Sequence, residues 1–95
     1  MKTPPIKDIE YAVTLYYSKI EIGTSDIMKL FGRGRHTAAR YKKIAYDEMV
    51  AQRKQNMQHH CVPTKIAFEA WGINIEDLEE RLAKLRKLKL LEVDV

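Results

Sequence analysis

The chain is poor in the residues that staple, punctuate or anchor a protein. It has a single cysteine, Cys61, in 95 residues, so no disulfide framework can form and a reducing, cytoplasmic setting is expected. No apolar run approaches the roughly 20 residues of a membrane-spanning helix. The opening Met1-Lys2-Thr3-Pro4-Pro5 is followed by no apolar stretch of the signal-peptide kind, so no membrane association is expected. Metal-ligand pairs are equally scarce. His59-His60-Cys61 stands alone, whereas zinc usually takes four ligands and no second Cys/His pair lies at ligand spacing. No nucleophile has a base and an orienting group to go with it. Neither a metal nor another cofactor nor an enzymatic activity is expected. There is no internal repeat and no low-complexity tract.

Forty-five per cent of the residues are hydrophobic and 32% charged, an ordinary globular balance. A chain of this length makes one domain, residues 1–95, and buries only roughly 60–65% of its unfolded surface, leaving a thin core. The net charge of +4 is unevenly spread. Between Lys29 and Lys54 stand eight basic residues (Lys29, Arg33, Arg35, Arg40, Lys42, Lys43, Arg53, Lys54) against Asp47 and Glu48, a net +6 in one stretch. Such a local positive field suits a polyanionic partner, and equally a solvated helix face.

Periodicity predicts an all-α fold of five helices. After an extended lead-in at Pro4-Pro5, Ile9, Ala12, Val13, Tyr16, Tyr17 and Ile20 recur at helical spacing from Lys7 to Lys19, until Gly23. Thr24 or Ser25 is the expected cap of a short second helix with Ile27, Met28, Leu30 and Phe31 inward. Gly32-Arg33-Gly34 is a tight turn. A third helix is predicted from Arg35 to Lys54, with Ala38, Tyr41, Ala45 and Met49 as its inward stripe. Gln55 to Pro63 reads as an aperiodic loop, Thr64 to Trp71 as a short helix, and Asn74 as the cap of a leucine-rich last helix. There Ile73 and Leu78 form a hydrophobic staple, Asp77–Arg81 and Glu80–Lys84 are favourable i,i+4 pairs, and Leu88, Leu90 and Leu91 extend the apolar character. The domain thus divides into a trihelical core, 7–54, and a helical tail, 64–91.

Projected at 100° per residue, the third helix has two faces. Ala38, Tyr41 and Ala45 fall on one arc; Arg35, His36, Ala39, Arg40 and Lys43 fall on the other. A slim helix with long donors around a small alanine fits a DNA major groove, where arginine bonds guanine O6 and N7. The candidate base-contacting residues are therefore Arg35, His36, Ala39 and Arg40. Thr24, Ser25, Arg33, Gly34, Thr37, Lys42 and Lys43 are candidates for the phosphate backbone, Thr24 and Ser25 through free N–H groups at a helix start. Asp47 lies on the basic arc and would repel phosphate, so the helix is expected to leave the groove near Lys43 or Tyr46. Gly34 has two readings: a positive φ, or close approach to the sugar-phosphate backbone. The tyrosines, and Trp71, read more naturally as core than as stacking platforms.

Thr24 to Lys43 resembles the helix-turn-helix superfamily of DNA-binding proteins, in particular small bacterial and phage transcriptional regulators. Gly32 stands at the glycine turn, and Thr37-Ala38-Ala39-Arg40-Tyr41 matches the Thr-apolar-x-Arg-aromatic opening of the second motif helix. Met28 departs from the usual alanine, Arg33 from an apolar turn residue, Gly34 from a small polar cap, and Ala38 from valine or isoleucine. The resemblance implies sequence-specific binding of double-stranded DNA and regulation of a phage or other mobile element. The stripe of Ile75, Leu78, Leu82 and Leu85 could pack back on the trihelical core or pair with its twin; a homodimer is expected, and the helix could also receive a protein partner. Two rival functions share these residues: a DNA-binding accessory subunit of a transposition or excision machine, and a helical interaction module of the antitoxin or inhibitor type.

Overall fold

The computed structural model describes residues 6–93, with side chains described through Lys89. The Pro4-Pro5 lead-in and the side chains of Leu90 and Leu91 lie outside the described residues. Within them the chain is mostly helical: α1 (Ile9–Ser18), α2 (Thr24–Phe31), α3 (Arg35–Ala51), α4 (Thr64–Ala70) and α5 (Ile75–Val93), with β1 (Glu21–Ile22) before α2 and β2 (Val62–Pro63) before α4.

The two strands correct the purely helical expectation. They pair antiparallel, Ile22 opposite Val62 and Glu21 opposite Pro63. Thr64 extends the link, its N–H donating to the Ile20 carbonyl at 2.8 Å and its Oγ1 to that of Lys19 at 2.6 Å. A strand of two residues is too short to display alternation in the sequence. Its buried residues, Ile22 and Val62, satisfy their backbone groups by pairing. The consequence is positional: the segment leaving α3 is tied back to the connection between α1 and α2.

Local chemistry explains the helix limits. α1 begins at Ile9, not Lys7, because the Asp8 carboxylate accepts from the N–H groups of Glu10 and Tyr11. α2 is capped by Gly23 and not by Thr24 or Ser25; Asp26 supplies the missing acceptor, taking the Gly23 N–H at 3.1 Å. α3 stops at Ala51, three residues earlier than expected. Gln52 closes it and Arg53 adopts φ 57°, with the Lys54 N–H donating to the Met49 carbonyl, the left-handed ending that glycine usually provides. Asn74 does cap α5, accepting from Glu76 and Asp77. The Asp77–Arg81 and Glu80–Lys84 pairs form at 3.1 and 3.5 Å.

The core is aromatic at its centre. Phe31 packs edge-on against both Tyr41 and Trp71, and Phe68 meets Trp71 and Tyr16. These rings join all of the first four helices. The Trp71 indole N–H donates to the Tyr41 carbonyl at 2.9 Å, fixing α4 to the middle of α3. Ala12, Leu15, Ile22, Ile27, Leu30, Ala38 and Ala45 fill the space around them. α5 lies antiparallel along α1, since Tyr17 near the end of α1 hydrogen-bonds Glu79 and Glu10 near its start faces Arg86. Tyr17 and Ile20, both part of the apolar periodicity, are instead 64% and 77% exposed: Tyr17 lies off the Ala12–Leu15 face of α1, and Ile20 follows the helix end at Ser18. Tyr46 is also largely exposed, whereas Tyr11, Tyr16 and Tyr41 are half-buried.

Candidate nucleic-acid interface

α3 presents one face to the core and one to solvent. Ala38, Ala45 and Met49 are buried, and Tyr41 is half-buried against Phe31. α2 turns Ile27, Leu30 and Phe31 into the core beside it, where the buried Ala38 and Ala45 of α3 take up little space. The opposite face carries Arg35, His36, Ala39, Arg40 and Lys43, all exposed. Arg35 to Lys43 spans about 12 Å of helix, comparable with the ~12 Å width of the major groove. Arg35, His36 and Arg40 make no side-chain hydrogen bond or ion pair to any described residue, so their donors stand ready for a partner.

The turn that aims α3 is fixed by Gly32, whose φ of 62° makes it the left-handed cap of α2, with the Arg33 N–H returning to the Met28 carbonyl. Gly34 is different. Its φ is −75° and an added Cβ would meet nothing within 4 Å. The positive-φ reading of Gly34 is therefore excluded; the residue is the N-cap of α3 and leaves the turn without a side chain there. Arg33 and Gly34 are both exposed at the tip of the turn.

The backbone-contact candidates divide. Thr37 is half-buried in the first turn of α3. Lys42 is drawn sideways, donating to the His60 carbonyl at 3.2 Å and so linking α3 to the 52–61 loop. Lys43 pairs with Asp47 at 3.0 Å; both are exposed, and such an i,i+4 pair is worth only about 0.3–0.5 kcal/mol, little enough for a phosphate to displace. At the start of α2, Thr24 is half-buried and Ser25 exposed. There the protein supplies its own anion: Asp26 caps Gly23 and binds the Lys19 ammonium at 3.0 Å, which raises the pKa of Lys19. That carboxylate takes the Gly23 N–H, while the N–H groups of Thr24 and Ser25 make no hydrogen bond among the described residues.

The 52–61 loop was invisible as part of this surface. Glu21 accepts the backbone N–H groups of Met57 and Gln58, and Asn56 donates to the Cys61 carbonyl. Together with the Lys42–His60 contact these bonds hold the loop beside α3. Only the acidic Glu21, isolated between two helices, hinted at it. Lys7 was missed for the same reason. Its N–H donates to the Leu30 carbonyl, and a Cβ at Gly32 would fall 2.8 Å from its Cδ, so it lies directly on the α2–α3 turn.

The leucine stripe of α5 packs for the most part within the chain. Leu78 and Leu82 are buried against the core, and Ile75 is half-buried beside them. They are used within the chain because α1 offers the nearest apolar face. Of the four, only Leu85 is substantially exposed, at 43%, joined by Leu88 at 57%.

Among the described residues no cluster of three His, Cys, Asp or Glu could hold a metal ion, and no helix is long and apolar enough to cross a membrane. An open cleft of about 730 Å³ lies between α1, α4 and α5, floored by Tyr17, Ile20 and Ile75. Its Tyr17 hydroxyl donates to Glu79, which raises the pKa of the phenol; α3 contributes nothing to this cleft. Compared with known protein families, curated proteins and solved structures, the chain matches none.

Proposed function

We propose that the chain is a sequence-specific double-stranded DNA-binding protein that inserts the first two turns of α3 into the major groove and acts as a transcriptional regulator of the phage or mobile-element kind. The observation that carries this reading is the outer face of α3: Arg35, His36, Ala39 and Arg40 are exposed together on a helix whose other face is locked by α2 and α4. Fixed backbone and uncommitted donors are what base readout requires, since the discrimination of a bidentate arginine depends on its geometry. Arg33 and the backbone at Gly34 sit at the strand edge, and Lys43 exchanges Asp47 for a phosphate. The carboxylate of Asp47 then marks where α3 leaves the groove.

Titration of the protein into labelled duplex at several salt concentrations tests this. The expected result is an affinity that falls steeply with salt, about 0.9 log units per log unit of salt for each phosphate neutralised. Absence of duplex binding at low salt, with the fold intact by circular dichroism, would favour the interaction-module reading, in which the basic face meets an acidic protein.

A further inference from the structure

The distal half of α5 is the part of the molecule the core does not use. α5 follows α1 antiparallel until Arg86 stands opposite Glu10, at 4.0 Å. From there it continues to Val93, about 10 Å beyond the start of α1.

Its direction follows from a second contact. The residues entering α1 lie against the α2–α3 turn, through the Lys7 N–H on the Leu30 carbonyl and the Lys7 side chain over Gly32. Those same residues line a depression with Leu82, Leu85, Arg86 and Lys89 of α5. Lys7 thus touches both the turn that aims α3 and the depression from which the end of α5 emerges.

Its charge is predominantly basic. Residues 81–93 hold Arg81, Lys84, Arg86, Lys87 and Lys89 against the single acid Glu92. Arg81 and Lys84 are turned back onto Asp77 and Glu80, whereas Lys87 and Lys89 have no acidic partner among the described residues. Of the two acids in the depression, Asp8 is committed to capping α1, and Glu10 to facing Arg86. Pairing of two such ends from two copies would bring like charges together, which costs free energy; a polyanion would instead meet them with complementary charge.

Resting on the DNA-binding reading of α3, we propose that the distal half of α5 lies along the duplex backbone flanking the site read by α3, with Lys7, Arg86, Lys87 and Lys89 on phosphates. α3 supplies the sequence preference and α5 a longer, sequence-independent footprint.

The test compares wild type with an Arg86→Gln/Lys87→Gln/Lys89→Gln variant on duplexes of one sequence and increasing length, across a salt series. Wild type is expected to gain affinity as the duplex extends past the α3 footprint, and the variant to lose that gain. On the long duplex the salt dependence of wild type should be steeper by close to three phosphates, which is about 40-fold more affinity lost between about 50 and 200 mM salt. Equal slopes and equal length dependence in the two proteins overturn the proposal while leaving α3 as the reader. Should wild type retain no duplex of any length, the reading of α3 falls and this inference with it. A Lys87→Gln/Lys89→Gln variant, which spares the Arg86–Glu10 contact, is expected to lose about two phosphates' worth of slope. A change in its oligomeric state without change in slope would mean that the surface meets a second copy instead.

Discussion

At the scale of single residues, the two glycines of the α2–α3 turn make opposite predictions. Gly32 is required by the fold: its φ of 62° lies where a side chain costs roughly 1–2 kcal/mol. Lys7 would also have to move from the incoming Cβ. Gly32→Ala is expected to lower thermal stability by that amount, read as a fall in melting temperature. Gly34 is required by nothing within the molecule. Glycine and threonine rank alike at a helix N-cap, so Gly34→Thr should leave the melting temperature within about 0.5 kcal/mol of wild type. Its duplex affinity should nevertheless drop, because a branched side chain would stand between the turn and the sugar-phosphate backbone. A variant that binds duplex as tightly as wild type would show that nothing approaches the turn.

At the scale of elements, the ends of α3 decide its use. Its beginning is free of acids and carries Arg35 and His36; its end is held by Arg53 in a left-handed conformation that disfavours a side chain. Arg53→Gly relieves that and should raise stability by about 1 kcal/mol in thermal denaturation. No change would mean that the ending is retained for the charge and not tolerated at a cost. The helices were legible because their signals are local: the Asn74 cap, the Gly32 stop, and the Ala38–Ala45–Met49 stripe all involve neighbours within a few residues. The exposed basic face of α3 was legible for the same reason, since one helix dictates its own angular arrangement. What escaped were contacts between distant residues. Nothing near Val62 announces that it pairs with Ile22, and nothing near Glu21 announces that it anchors Met57 and Gln58. Leu78 and Leu82 look alike whether they face α1 or a second copy, so a leucine stripe alone could not distinguish packing within the chain from a dimer seam. Asp26 suits the positive end of α2 on local grounds alone, but its pairing with Lys19 depends on how α1 and α2 meet.

At the scale of the whole molecule, a thin core concentrates its rigidity where the proposed readout needs it. The aromatic cluster of Phe31, Tyr41, Phe68 and Trp71, the β1–β2 pair and the Trp71–Tyr41 hydrogen bond all converge on α3 from its inner side. Trp71→Phe keeps an aromatic ring in place and removes the indole donor together with part of the ring volume. It should cost about 1–3 kcal/mol through the lost hydrogen bond and the lost volume, visible in urea unfolding as a lower midpoint at unchanged slope. Charge is distributed in keeping with this. The α2–α3 turn, the outer face of α3 and the far end of α5 are basic, while the acids gather at the start of α5, on the side of the cleft.

The most direct measurement is selection from a random duplex pool with excess unlabelled competitor, run in parallel on wild type and an Arg35→Ala/Arg40→Ala variant, with the retained fragments sequenced. Readout by α3 predicts one enriched site in wild type and none in the variant, each arginine accounting for roughly 1–3 kcal/mol of discrimination, while both proteins melt alike. The same site enriched by both proteins, or no enrichment by wild type, would contradict it.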